Sequence, residues 1–205
     1  MSPRLGVLVA CLLALLPGCS KFQKARFNRG IGVDGAAVLV IPFSEPKNHR
    51  WYTESERGIK VVEAFKWWVT DNADPNFPSG SAVADVLKAV RDWDRDTITI
   101  EDWQRLTMGL DVKYVLVGEI ENLTLTSPQR IGLLDPTVEA SYRLINVETG
   151  KLAIERPHFT VELEKSQDHE IPSLELGSDV VETESRLIVM LAKQIGQDLY
   201  GYYPE

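Results

Sequence analysis

Three strand-like segments between residues 112 and 164 constrain the fold of this chain more than any other feature. The first, residues 112–126, is rich in β-branched and aromatic side chains, and the second, residues 137–147, alternates apolar and polar side chains as a half-buried strand does. A proline-containing loop joins these two, and a turn that includes Gly150 leads into the third segment, residues 151–164. We therefore predict an antiparallel meander.

The segments that flank the meander predict one further strand and four helices. Residues 36–43 form an apolar run that ends at Pro42-Phe43, which is typical of a strand buried on both faces. Apolar residues recur at helical spacing in four ranges, 53–70, 81–93, 99–110 and 178–199. The order strand-helix-helix-helix-strand-strand-strand-helix describes an α+β domain with one mixed, largely antiparallel sheet and helices packed on it.

Polar residues mark the predicted helix starts. Thr53 and Glu56 match a capping box, and Thr99 with Asp102 matches a cap of the third helix. The last helix carries a long apolar stripe and is therefore expected to pack against the core, with Asp198 among its residues on the other faces.

The N-terminus has the pattern of a secretory signal that ends in a lipobox. Arg4 precedes an apolar run of 12 residues, which is too short for a hydrocarbon core that needs about 20 helical residues. Leu16-Pro17-Gly18-Cys19 then resembles the lipobox of bacterial lipoproteins, although Pro17 replaces its usual small residue. We predict a lipoprotein signal peptide in residues 1–18 and lipidation of Cys19. An ordinary cleaved signal with an incidental Cys19 is the alternative.

Lipidation would occupy the one cysteine that remains after cleavage, because Cys11 lies in the removed segment. We therefore expect no disulfide, no metal site and no cofactor. Residues 19–35 are predicted as the lipidated cysteine and a flexible basic tether, and residues 36–205 as a single domain. Two or more acyl chains attach a protein stably to a membrane. Since Ser20 resembles the outer-membrane sorting pattern, we expect the periplasmic face of the outer membrane.

Charge and catalytic motifs narrow the function further. The net charge of -8 and the pI near 5.0 argue against general nucleic-acid binding. Glu119 and Glu121 alternate along one strand and are expected on one exposed face, where they do not indicate a catalytic pair. The three histidines are far apart in sequence and predict no metal site. We expect a protein that is not an enzyme.

Aromatic residues outside the helical stripes are the candidate contacts for a partner. Trp51 and Tyr52 lie in a polar loop, while Tyr200, Tyr202 and Tyr203 lie at the chain end. Exposed aromatic residues often mark interfaces, so these five residues are predicted to bind a partner. Burial in the helix–sheet layer is the alternative.

The chain resembles a periplasmic domain that several envelope lipoproteins share. The resemblance is carried by the first strand with Pro42-Phe43, by the segment from Gly109 to Ile120 that contains Val-Gly-Glu-Ile, and by the turn from Asn146 to Lys151. The group includes the curli secretion channel subunit, the penicillin-binding-protein activator lipoproteins and the amino-terminal domain of the Tol-Pal translocation protein. The resemblance covers about residues 36–200 and implies a binding or assembly module, with no catalytic residue carried over.

Three functions follow from these observations. The first is a lipid-anchored module that binds another envelope protein, with a homo-oligomer left open. The second is a subunit of a ring-forming secretion complex of the outer membrane, which the short loop at residues 127–136 disfavours because membrane strands need about 9 to 11 residues each. The third is a cell-wall hydrolase, for which the sequence shows no recognisable site.

Substitution of Cys19 with alanine is expected to leave a folded protein that is released from the membrane, because the lipid is the predicted anchor. Fractionation of cells after a salt wash measures this release. Recovery of the substituted protein in the membrane pellet would contradict anchoring through Cys19.

Overall fold

The computed structural model describes residues 30–45, 55–91, 98–126, 134–163 and 178–201. Within these ranges the chain forms four strands and four helices. In chain order they are β1 (Val38–Val40), α1 (Glu56–Asn72), α2 (Ser81–Arg91), α3 (Ile100–Leu106), β2 (Tyr114–Thr126), β3 (Leu134–Asn146), β4 (Lys151–Glu162) and α4 (Ser178–Tyr200). This order confirms the predicted α+β fold.

The strands form one mixed sheet in the order β1-β2-β3-β4. β1 runs parallel to β2, whereas β2, β3 and β4 are antiparallel neighbours, which confirms the predicted meander. β3 begins at Leu134, so Asp135 and Pro136, which were predicted to be part of a loop, lie within the strand. Proline is tolerated there because it stands near the start of the strand.

Helices cover both faces of the sheet. α1 and α4 pack on one face, where their apolar side chains meet those of Val38, Leu116 and Leu144. α2 and α3 pack on the other face, over Leu39 and Val115. Every residue of β1 is buried, as its continuous apolar run predicted, because both helix layers reach this strand.

The helix starts differ in part from the prediction. Ser55 caps α1, since its hydroxyl accepts a hydrogen bond from the backbone N–H of Gly58 at 2.7 Å. The predicted cap, Thr53, lies outside the described residues. Thr99 and Asp102 form the predicted capping box of α3, with both reciprocal hydrogen bonds present.

α4 is integral to the core. Its apolar stripe includes Leu187, Leu191 and Ile195, none of which has exposed surface. Asp198 departs from the prediction, because it is 7% exposed and faces the sheet rather than solvent. Among the described residues, no helix is long and apolar enough to span a membrane.

The described part of the predicted tether lies against the domain. Val33 is completely buried in the core that α1 and α4 share. A Cβ atom on Gly30 would lie 2.3 Å from the backbone of Leu199 and Gly201, so the chain passes close to the end of α4. Residues 30–35 therefore include packing contacts of the domain.

Phe43 joins three elements through close contacts with two glycines. Its ring lies over Gly118 in β2, where an added Cβ atom would come within 2.2 Å of the ring. A Cβ atom on Gly58 would lie 1.8 Å from the carbonyl oxygen of Phe43. The same oxygen accepts a hydrogen bond from the Ser55 hydroxyl. Gly118 permits the close approach of the Phe43 ring because it has no side chain.

Substitution of Gly118 with alanine is expected to destabilise the fold by about 1–3 kcal/mol, because the new methyl group overlaps the buried Phe43 ring. Denaturant titration measures the change. Phe43→Leu removes Cε1 and Cζ, the two ring atoms nearest the new methyl group, so the loss caused by Gly118→Ala should shrink in that background. Equal losses in both backgrounds would place the strain elsewhere.

Candidate functional site

A groove of about 330 Å³ lies on the sheet face that α2 and α3 cover only in part. Buried Val117 and Trp103 form apolar parts of its lining, together with Ile98 at the approach to α3. The polar side chains that line the groove come from three neighbouring strands and are Glu119, Glu121, Ser141, Arg143, Glu155 and His158. We call this site the sheet-face groove.

Strand alternation explains why the groove is apolar at one end and charged at the other. Val115 and Val117 point to this face and pack under α2 and α3. Two residues further on, Glu119 and Glu121 point to the same face beyond that apolar cluster. The prediction that the two glutamates share a face is confirmed, but both are half-buried in the groove rather than fully exposed.

His158 and Glu121 form a polar contact across the groove. The Nδ1 atom of His158 lies 2.5 Å from the Oε2 atom of Glu121, at hydrogen-bonding distance, although the imidazole side chain is 82% exposed. His158 has a φ of 45°, and the pairing of β3 with β4 is irregular at Pro157 and His158. Such a bulge redirects a side chain, which explains the contact between residues 37 positions apart. Sequence spacing gave no sign of this pair.

On the opposite face of the sheet, behind the groove, the buried carboxylate of Asp198 links β3 and β4 through hydrogen bonds. Asp198 accepts hydrogen bonds from the Tyr142 hydroxyl at 2.6 Å and from two nitrogens of Arg156 at 3.2 Å. Gln194 donates a fourth hydrogen bond at 3.3 Å. Burial, and secondly the hydrogen bond to Asp198, raise the pKa of Tyr142 well above its usual range. The Asp198 carboxylate also raises the pKa of Arg156, so Tyr142 keeps its proton and Arg156 its charge over the physiological range.

A second ion-pair cluster ties the starts of α1 and α4 together. Arg57 donates hydrogen bonds to Glu45 at 3.1 Å and to Glu184 at 3.0 Å. These carboxylates raise the pKa of Arg57 above its usual range, chiefly through the hydrogen bond to Glu184. Its position away from the groove lining indicates a role in holding the helix pair.

The residues predicted to bind a partner are described only in part. Tyr200 is 6% exposed and its ring centroid lies 6.4 Å from that of Phe65, so its side chain belongs to the core and presents little surface to a partner. Trp51, Tyr52, Tyr202, Tyr203 and the lipidation residue Cys19 lie outside the described residues. Their predicted roles stay predictions.

The adjacent tryptophans of α1 divide between core and surface. Trp68 is 8% exposed and packs over Gly196, while Trp67 is 60% exposed. The expected angle of about 100° between neighbouring helical residues explains this division. Across the five described ranges, no group of three histidine, cysteine, aspartate or glutamate residues is placed to hold a metal ion.

The fold of the chain is similar to those of several solved structures. No protein-family model matches it, and the search of curated proteins found no relative. It is similar to the PelC dodecamer from Paraburkholderia phytofirmans at 14% identity and a TM-score of 0.45, over 85% of this chain and 91% of that chain.

Two further solved structures are similar to the chain. Lipoprotein GNA1162 from Neisseria meningitidis has 16% identity and a TM-score of 0.44, over 79% of this chain and 99% of that chain. The LpoB C-terminal domain from Escherichia coli has 15% identity and a TM-score of 0.39, over 63% of this chain and 84% of that chain. One of these three neighbours is named as a lipoprotein, in line with the predicted resemblance. At this identity the function has to be argued from the residues of this chain.

Loss of the hydroxyl group should change the stability of the protein differently at the two buried tyrosines, Tyr142 and Tyr200. Tyr142→Phe is expected to cost about 1.5–3 kcal/mol, because it removes a hydrogen bond to the buried Asp198 carboxylate. Tyr200→Phe should change stability by less than about 0.5 kcal/mol or increase it, because the Tyr200 hydroxyl is buried without a partner among the described residues.

Denaturant titration of both variants measures the difference, and each serves as the matched control for the other. Similar losses in the two variants would show that the Tyr142–Asp198 hydrogen bond adds nothing beyond packing.

Proposed function

We propose that this chain is a lipid-anchored, non-enzymatic protein of the bacterial envelope that binds another envelope protein as an assembly module. The proposal rests on the sheet-face groove, which is a preformed concave surface lined by apolar and charged side chains. Two of its three strands, β3 and β4, are held from behind by the hydrogen bonds of Asp198, so little conformational freedom is lost on binding.

The side chains of the groove favour binding over chemistry. Arg143, Glu155 and His158 are solvent-exposed, and exposed charges of this kind set the specificity and the rate of protein association. The apolar lining from Ile98 and Pro157 supplies contact area that charged groups alone do not.

The anchor and the aromatic residues complete the proposal. Leu16-Pro17-Gly18-Cys19 supports lipidation of Cys19, which would hold the domain at the membrane, and Ser20 supports the periplasmic face of the outer membrane. Trp51, Tyr52, Tyr202 and Tyr203 are proposed as further partner contacts, since aromatic residues often dominate the binding energy of an interface.

Site-specific photo-crosslinking in intact cells tests where the partner binds. A photoreactive residue in place of Thr160, which is exposed on the groove side of β4, is expected to give a covalent adduct with one envelope protein. The same residue in place of Val181, which is 66% exposed on α4, is the matched control and should not give that adduct.

Loss of the aromatic contacts should weaken the same adduct. The double substitution Trp51→Ala and Tyr202→Ala is expected to reduce the yield of the adduct about fivefold, which corresponds to a loss of about 1 kcal/mol in binding free energy. The unfolding midpoint should stay unchanged. A lowered midpoint with an unaltered adduct would place these aromatic residues in the core. Equal adducts from positions 160 and 181 would contradict binding at the groove.

A further inference from the structure

The sheet face around the groove carries many more acidic than basic side chains. Alternation along β3 places Glu139 on the same face as Ser141 and Arg143, because the residues between them belong to the core under α4. Cross-strand pairing places Glu162 there too, opposite Thr137. Among the described residues, this face carries five glutamates, Glu119, Glu121, Glu139, Glu155 and Glu162, and one arginine, Arg143.

Part of this acidic charge is available to a ligand. Glu121 already contacts His158, and Glu119 also has an interaction partner. Glu139, Glu155 and Glu162 are exposed and make no hydrogen bond or ion pair within the described part of the chain. Carboxylates that repel one another on one face gain from a cationic partner.

The groove itself adds an apolar component to this charge. It has a volume of about 330 Å³, and its accessible apolar lining comes from half-buried Ile98 and exposed Pro157, beside Glu119 and Glu155. An arginine side chain matches such a lining, because its methylene stem packs on apolar surface while its guanidinium forms paired hydrogen bonds with a carboxylate. A metal ion does not fit, since no described group of three ligands is placed to hold one.

β4 disfavours the other common way in which a sheet binds an extended chain. Pro157 lacks an N–H group, and His158 with a φ of 45° interrupts the regular strand geometry. Proline and a bulge on an edge strand protect it from pairing with another strand. A ligand is therefore directed to the face of the sheet and its side chains rather than to the edge of β4.

We propose that the sheet-face groove binds a basic, arginine-bearing segment of the partner protein, with Glu139 and Glu155 as its principal carboxylates. This inference rests on the proposed function and adds the chemistry of the partner. The arginine stem packs on the apolar lining of Ile98 and Pro157, and its guanidinium pairs with Glu155, while a neighbouring cation of the segment pairs with Glu139.

Binding of a synthetic peptide to the full chain in neutral detergent micelles tests the inference. The probe is a fluorescent peptide of about 12 residues, the length of β4, that alternates arginine with serine. Fluorescence anisotropy is expected to show saturable binding. The same peptide with citrulline, which keeps the shape and removes the charge, should bind at least about tenfold more weakly.

Charge-matched variants locate the binding surface. Glu139→Gln with Glu155→Gln is expected to lower affinity for the arginine peptide at least about tenfold. Glu63→Gln with Glu182→Gln makes the same change of charge on exposed positions of α1 and α4, and should lower affinity less than about twofold. Equal losses in the two double variants would show general attraction to a chain of net charge -8 and would overturn the inference.

The basic residues near the predicted anchor are the alternative occupant. Replacement of Lys21, Lys24, Arg26 and Arg29 with glutamine is expected to leave the affinity for the peptide unchanged. A tenfold gain would show that these residues compete for the groove, and would overturn the assignment to a partner.

The result is separable from that of the crosslinking experiment. An adduct at position 160 without binding of the arginine peptide would reject the basic segment and retain the proposed function. Absence of the adduct from living cells would instead reject the proposed function.

Discussion

The contact of Phe43 with two glycines is the constraint on which the layers of this domain depend. β1 has only three residues, and the chain beyond it continues beside β2 through hydrogen bonds of Ile41 and Ser44. The Phe43 ring occupies the space over Gly118 while its carbonyl group occupies the space at Gly58. One residue thereby fixes the end of β1, the middle of β2 and the start of α1. A side chain at either glycine would separate these elements, because the interior has no free volume to absorb it.

Unequal helix lengths create the groove. α1 and α4 have 17 and 23 residues, and α4 packs along β3 as far as Val138. α2 and α3 have only 11 and 7 residues and bury this second face as far as Val117. Among the described residues no helix covers this face beyond Val117, and the side chains that point there are polar, as a hydrated sheet face requires. The boundary between packed and hydrated sheet is the concave surface that we assign to binding.

The hydrogen bonds of Asp198 link two of the strands that form that surface. A buried carboxylate needs compensating hydrogen bonds, and Tyr142 in β3 with Arg156 in β4 supplies them. The same two strands carry Arg143, Glu155 and His158 on the opposite face. Because α4 holds both strands at fixed positions, the charged groups of the groove are arranged before a partner arrives. A preorganised surface of this kind binds without a large entropic cost.

Much of the fold followed from the sequence alone, because the periods of strand and helix are local properties of the chain. The meander, the buried first strand and the capping box at Thr99 were all predictable. The alternation of Glu119 and Glu121 was predictable too. Only the tertiary structure decided which residues meet across elements: Phe43 over Gly118, His158 beside Glu121, and Asp198 buried under the sheet. Strand register, a bulge and the reach of each helix layer set these contacts, and none of them leaves a periodic signal in the sequence.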